Sequence, residues 1–340
     1  MNIIEYQQNT TIQYCFPHNN LSCRKEVRAG SASVVVFFFL SCVSVFTVFL
    51  NLLVIISISH FKQLHTPTNL LILSLAVADL LVGLFVMPLR IMEIIDSCWY
   101  LGKTVCTLFP VIDYVTVSAS VDSLVLIAVD RYIAVNDPLL YSTRITVCKT
   151  SLFIIIAWSW SVFYNVMLLY FNNHLLHSQI SAGCYGECVL VMKYSWVMVD
   201  FVITFIGPCV IILILYSVIF KVARHQAKAV RTVRNGATNK HVDKVSSSSE
   251  TKAAKTLAIV IFLYLACWIP FTVGPLLVKD IVRSSLVVNL VTWFMYINST
   301  INPLIYAIFY PWFKTSVKYI VTCQVFESSS SSFSVFPKHL

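Results

Sequence analysis

Charge is what this chain has least of. Asp, Glu, Lys and Arg make up 11% of its 340 residues, against 58% hydrophobic residues and a mean hydropathy of +0.80. That excludes an ordinary soluble domain, which needs a charged surface, and indicates a polytopic membrane protein. The polar start of the chain has no basic stretch leading into a short apolar core and a small-residue cleavage site. No cleavable signal peptide is expected, and the first apolar helix should start insertion itself. The two halves lack the repeat of inverted-repeat transporters. There is no nucleotide-binding loop, and the eight histidines are scattered without ligand spacing, so neither a metal nor a nucleic-acid partner is expected. No nucleophile and base stand together in the sequence, which argues against an enzyme.

What the chain does have is long apolar runs. Windows of about 20 apolar residues fall at roughly 33–59, 69–94, 104–136, 148–171, 193–224, 252–279 and 287–309. The expected fold is therefore an all-α seven-transmembrane helix bundle at 33–309, preceded by a segment at 1–32 and followed by a tail at 310–340. Between spans five and six, residues 221–255 hold nine Lys or Arg against Asp243 and Glu250, which marks that loop (225–251 at its core) as cytoplasmic under the positive-inside rule. The amino terminus is then extracellular and the carboxy terminus cytoplasmic. Arg24, Lys25 and Arg28 ahead of the first span run against this orientation, which rests on the later loops. The basic loop also suits anionic membrane lipid, at about 1 kcal/mol per Lys or Arg near such a surface.

The most informative run is Thr104 to Asn136, because it keeps Asp113 and an Asp130-Arg131-Tyr132 triplet inside an apolar helix. A carboxylate at bilayer depth costs about 2.5–3.5 kcal/mol on insertion scales, so it should face a protein interior or a wet cavity. Asp113 and Arg131 are 18 residues apart, which is five turns and about 27 Å of rise on one helical face. A rigid rod thus joins a carboxylate near one membrane surface to an arginine near the other. Asp122 is half a turn out of phase and is left out of the site.

Six cysteines (Cys15, Cys23, Cys98, Cys106, Cys184 and Cys188) fall at or beyond the outer span edges, enough for three disulfides among 15 connectivities. Cys42, Cys148, Cys209, Cys267 and Cys323 are expected to be free thiols. Asn9 and Asn20 head glycosylation triplets in the first segment, whereas Asn298-Ser299-Thr300 sits in an apolar run out of reach. In Pro311 to Val321, Trp312, Phe313, Val317 and Ile320 share one side, with Lys314 and Lys318 beside them. That pattern predicts a short amphipathic eighth helix in the membrane interface, followed by Cys323 as a palmitoylation candidate. Ser246–Ser249 and Ser328–Ser332 read first as linker and second as kinase sites.

Asn51, Leu75-Ala76-Val77-Ala78-Asp79, Asp130-Arg131-Tyr132, Trp158, Pro208, Cys267-Trp268-Ile269-Pro270 and Asn302-Pro303-Leu304-Ile305-Tyr306 together resemble the rhodopsin-like G-protein-coupled receptors, over roughly residues 30–325. Asn298 to Tyr306 followed by Tyr310-Pro311-Trp312-Phe313 resembles the fingerprint of trace amine-associated receptors. Asp113 combined with Asp200 resembles the fish members that detect diamines such as cadaverine.

The resemblance implies a Cys106–Cys188 bridge and a second, Cys23–Cys184, leaving Cys15 and Cys98 over as candidates for a third. It implies a sodium and water site at Asp79, Ser120, Asn298 and Asn302, with sodium the one small ion to expect and no other cofactor. Pro270 would bend helix six, with Trp268 below the pocket as the group a ligand shifts. Asn302, Pro303 and Tyr306 belong with the triplet Asp130, Arg131 and Tyr132 to the switch, in which Arg131 pairs with Glu250 while the receptor is inactive. It also implies a stimulatory G protein and cyclic AMP, with arrestin and receptor kinases as further partners.

The ligand of such a site is a protonated amine. Using 1.5 Å of rise per residue, Asp113 lies about 13 Å below Thr104 and Asp200 about 10 Å below Lys193, at similar depth. Tyr114, Trp268, Phe271, Trp293 and Tyr296 would enclose the ammonium, at about 0.5–2 kcal/mol per cation–π contact, although core packing is the plainer reading of these rings. Two ionised aspartates about 8 Å apart would repel by about 2 kcal/mol at an effective dielectric near 20, a strain that a diamine would relieve. The alternatives are a biogenic monoamine receptor in which Asp200 is a structural carboxylate satisfied by Ser195 or Thr204, and, more distantly, a cation transporter. A retinal photoreceptor would need a lysine in span seven, where 287–309 has none and Tyr296 takes its place.

Overall fold

A computed structural model describes residues 13–25, 31–96, 98–175, 184–188, 190, 192–236, 259, 262–270, 286–326 and 330–335. Asn9, Glu250 and Phe271 lie outside the described residues. In chain order the helices are α1 (Ser31–His60), α2 (Pro67–Leu81), α3 (Met87–Asp96), α4 (Gly102–Asn136), α5 (Pro138–Arg144), α6 (Val147–Phe171), α7 (Tyr194–Asp200), α8 (Gly207–Gly236), α9 (Leu286–Phe309) and α10 (Pro311–Val321). Ser33–His60, Pro67–Asp96, Gly102–Asn136, Val147–Phe171 and Tyr194–Val222 are each long and apolar enough to cross a membrane. α9 stands where the seventh span was expected, and 262–270 is the described part of the sixth.

Local chemistry explains the starts of several helices. The Thr66 hydroxyl accepts from the Asn69 amide ahead of Pro67, and Thr146 does the same for Lys149. Both are side-chain caps on otherwise orphaned donors, with proline tolerated at the first position. α8 runs past 224, where the span was expected to end, to Gly236. Its Gln-Ala-Lys-Ala-Val-Arg run contains good helix formers and no breaker. The short helix α5, after Pro138, was not foreseen.

The bundle is apolar on the outside as well as inside. Phe38, Phe39, Val45, Phe46 and Phe49 of α1 and Phe153, Ile155, Trp160 and Phe163 of α6 are exposed, the pattern of helices solvated by hydrocarbon. The interior is where the polar groups collect: Asn51, Asp79, Asp113, Ser120, Asp130, Asn298 and Asn302 are all buried. α4 packs against α2, α6 and α8, which puts its carboxylates inside. α10 buries Trp312 and Phe313, leaves Lys314 and Lys318 exposed, and packs on α1, as its pattern suggests.

Among the described residues, two helices are interrupted. A π-turn at Val82–Val86 joins α2 to α3 just ahead of Pro88, and another at Phe201–Ile206 joins α7 to α8 just ahead of Pro208. Proline has no N–H and its ring crowds the carbonyl four residues back, so a widened turn relieves the clash. The extra residue rotates everything beyond it by about 100° relative to a straight helix.

The end of the bundle near the amino terminus is capped. Cys15–Cys98, Cys23–Cys184 and Cys106–Cys188 are all bonded, so the leftover pair does form the third bridge. Main-chain bonds Cys23 N to Tyr185 O and Tyr185 N to Leu21 O stitch the first segment onto the loop before α7. Gly186 has φ +106°, and a Cβ there would sit 3.0 Å from Cys15 Cβ and the Phe16 ring, so the crossing point admits only glycine. Cys42, Cys148, Cys209, Cys267 and Cys323 are free. Non-reduced peptide mapping should recover all three links. Cys15→Ser and Cys98→Ser should each lower stability by about 2–4 kcal/mol, with the double variant no worse than either single, as read by thermal unfolding in detergent.

Candidate functional site

The Asp113 carboxylate is buried, and it already holds a cation. Arg90, in α3, donates from Nη2 to Asp113 at 2.7 Å, from Nη1 to Glu93 at 2.8 Å and from Nε to the Tyr296 hydroxyl at 3.2 Å. Tyr296, from α9, donates in turn to both Asp113 oxygens at 2.9 and 3.1 Å. The guanidinium carbon lies 4.8 Å from the Phe109 ring centre. Phe109 stacks on Trp99 at 5.9 Å, and the Trp99 amide bonds the Gly186 carbonyl in the cap. Two negative and one positive side chain therefore share a nook between α3, α4 and α9.

Asp200, at the end of α7, is held differently. It accepts from the Tyr164 hydroxyl of α6 at 3.2 Å, and Thr204 bonds its main-chain oxygen at 2.7 Å. Among the described residues, no basic side chain forms an ion pair with it. The partners are a tyrosine on another helix and the expected Thr204, not Ser195. Tyr114 donates to the Met192 sulfur at 3.3 Å, and Trp293 meets Tyr296 edge-on at 6.0 Å. Trp268 stacks on Phe205 at 6.2 Å and leans on Tyr264 at 5.5 Å. Asp122 accepts from Ser161 on α6 at 2.8 Å, apart from the site, as its helical phase requires.

Deeper in the bundle, Asp79 accepts from Ser120 at 3.0 Å and from the Asn302 amide at 2.8 Å. Asn298 is buried nearby in sequence but makes no hydrogen bond to Asp79 among the described residues. A fully buried carboxylate with neutral donors fits a small monovalent cation, since no basic side chain among the described residues pairs with it. At the far end of α4, Asp130 accepts from Arg131, from Thr68 at 2.8 Å and from the Tyr141 hydroxyl at 2.6 Å. The guanidinium of Arg131 also reaches Thr68. Tyr132 is half-buried and Tyr306 buried. Pro270 ends the described part of the sixth span, and Pro303 lies within α9.

The family model described as 7 transmembrane receptor (rhodopsin family) matches residues 50–306. The chain is 42% identical to trace amine-associated receptor 13c of Danio rerio over 335 residues, covering 97% of this chain and 98% of that one. It is 38% identical to human trace amine-associated receptor 6 and to human trace amine-associated receptor 8, each over at least 96% of both chains. The chain is a trace amine-associated receptor. It is accordingly a multi-pass membrane receptor that works with a G protein and catalyses nothing itself.

For this receptor the sequence located Asp113, Tyr296, Asp79, Ser120 and Asn302, and the structure joins Asp113 to Tyr296 and Asp79 to Ser120 and Asn302; it located Asp130 and Arg131 too, but not their pairing with each other. It missed Arg90, Glu93 and Tyr164. Arg90 falls within the expected second span, 69–94, so the reasoning that singled out Asp113 applied to it equally. The expected mutual strain of Asp113 and Asp200 in the empty site is corrected: Arg90 supplies the positive charge that Asp113 was thought to lack. Glu250 lies outside the described residues, and the carboxylate seen on Arg131 is Asp130. Asp130→Asn should therefore release Arg131 and raise basal nucleotide exchange on a co-expressed G protein about 5–30-fold, the equivalent of 1–2 kcal/mol. An increase from Glu250→Ala with none from Asp130→Asn, at equal surface expression, would move the lock to the other partner.

Proposed function

We propose that this receptor senses protonated amines, diamines such as cadaverine or putrescine above others, in olfaction, and that it signals through a stimulatory G protein and cyclic AMP. The charge balance carries the reading. Asp113, Glu93 and Asp200 set three carboxylates against the guanidinium of Arg90, leaving the site two positive charges short of neutrality. A dication matches that deficit, with one ammonium on Asp113 and the other on Asp200. Tyr114, Trp293 and Tyr296 supply ring faces for its chain, with Phe271 assigned the same role from sequence and Trp268 beneath them. A monoamine would leave one buried carboxylate unmatched, at about 1–3 kcal/mol or more.

In this reading the capped end, with Asn20 exposed as a glycosylation site, is extracellular, and the Asp130–Arg131 end faces the cytoplasm. The Asp79 cluster takes a sodium ion that steadies the inactive bundle. The Tyr164 bond to Asp200 supports a second reading, in which Asp200 is structural and the ligand is a monoamine.

The two readings separate in a cyclic AMP assay with mono- and diamines of graded chain length. Asp113→Ala should silence every amine. Asp200→Ala should lose diamines by 10-fold or more while keeping monoamines. Unaltered diamine potency in Asp200→Ala would leave the monoamine reading standing.

A further inference from the structure

Arg90 is a charged residue in the ligand region that the amine reading counts in its charge balance and gives no part in ligand choice. It fills the place of a ligand ammonium: its Nη2 lies 2.7 Å from an Asp113 oxygen, and its guanidinium lies against the face of Phe109. A side chain that makes these contacts competes with any ligand that must make them. Resting on the amine reading of this site, we propose that Arg90 is an intramolecular competitor for Asp113, a specificity-determining residue that incoming ammonium groups must displace, with Glu93 as the acceptor that receives it.

The geometry gives Arg90 somewhere to go. Its Nη1 already bonds Glu93 three residues along the same helix at 2.8 Å. Surrendering Asp113 therefore exchanges one of two carboxylate contacts and leaves no bare guanidinium. A guanidinium suits this role because its three nitrogens point to three partners at once, which a lysine ammonium on a single stem does not reproduce. The side chain is 29% exposed, against 5% for Asp113, so Arg90 is the partner with room to leave. Tyr296 stays on Asp113 through both oxygens and keeps the carboxylate placed while its cation changes.

An opposite use of Arg90, as a docking point for an acidic group on the ligand, is disfavoured by the same contacts. Nε, Nη1 and Nη2 are each committed to a protein acceptor, and Glu93 would repel an anion arriving there. Asp200 has no such internal cation among the described residues. It takes a second ammonium without displacing a cation, so a diamine offsets there part of the cost of moving Arg90 from Asp113, and a monoamine does not. Arg90 thereby penalises ligands with only one charge.

The test measures potency in the full-length receptor, with surface expression quantified by an amino-terminal epitope. Arg90→Met should shift the dose–response curves of amines to at least 10-fold lower concentration, monoamines more than diamines. Adding Asp113→Ala should erase that gain. Glu93→Gln, which keeps Arg90 and removes its alternative acceptor, should weaken amines about 10-fold, and the weakening should vanish in the Arg90→Met background. Unchanged or reduced potency in Arg90→Met at normal expression would overturn the proposal, as would unchanged or improved potency in Glu93→Gln. So would a new response of the native receptor to amines bearing a carboxylate. If the native receptor and Arg90→Met both ignore every amine, the amine reading itself falls, an outcome distinct from a native response that Arg90→Met fails to improve.

Discussion

Hydrocarbon offers no hydrogen bonds, so every charged group taken into this bundle must find its partner within the protein. Five aspartates show how that is met. Asp113 and Asp130 hold arginines, whereas Asp79, Asp122 and Asp200 have neutral donors from Ser120 and Asn302, from Ser161, and from Tyr164. A hydroxyl or amide satisfies lone pairs without cancelling charge. The neutral-partnered carboxylates therefore keep a charge that the arginine-paired ones have cancelled. Asp79 and Asp200 sit in the bundle's middle and ligand region, and the internally neutralised pairs flank them at either end of α4.

Much of this was legible because it is written in single residues. A charge inside an apolar window identified Asp113, and motif residues identified Asn51, Asp79, Trp158 and Asn302. Their bonds connect as such motifs require: Asn51 to the Thr47 and Ser299 carbonyls, Trp158 to Ser74, Asn302 to Asp79. What was not legible depends on rotation. A straight-helix phase places residues on a face, but the π-turn at Val82–Val86 lies between Asp79 and Arg90. The phase of everything in α3 is therefore shifted by an amount the sequence does not print. Asp200 borders the second π-turn, and its tyrosine partner comes from a helix distant in sequence. Pro88 and Pro208 were the available signals, and they announce a distortion without giving its size.

One continuous helix carries both Asp113 and Arg131. α4 runs from Gly102 to Asn136 with Asp113 near one end and Arg131 near the other, and its Pro110 lies on the ligand side of both. The aromatic stack of Phe205 and Trp268 joins the π-turn ahead of α8 to the sixth span. A side-chain stack packed beside a stiff rod is the kind of element through which a two-state bundle switches. The equilibrium is biased only by what binds differently in the two states.

Arg90 also ties the ligand region to the cap. Its guanidinium rests on Phe109, Phe109 stacks on Trp99, and Trp99 bonds Gly186 and neighbours Cys98, which is bridged to Cys15. Each of these is a packed contact with little slack, because Gly186 leaves no room for a Cβ against Cys15 and Phe16. An arginine that turns from Asp113 toward Glu93 must slide over the Phe109 face, and the cap on the other side of Phe109 is fixed by three disulfides. The cap therefore does more than cover the pocket. By holding Trp99 and Phe109 still, it keeps the Arg90 side chain between two acceptors and limits its motion to exchange between them.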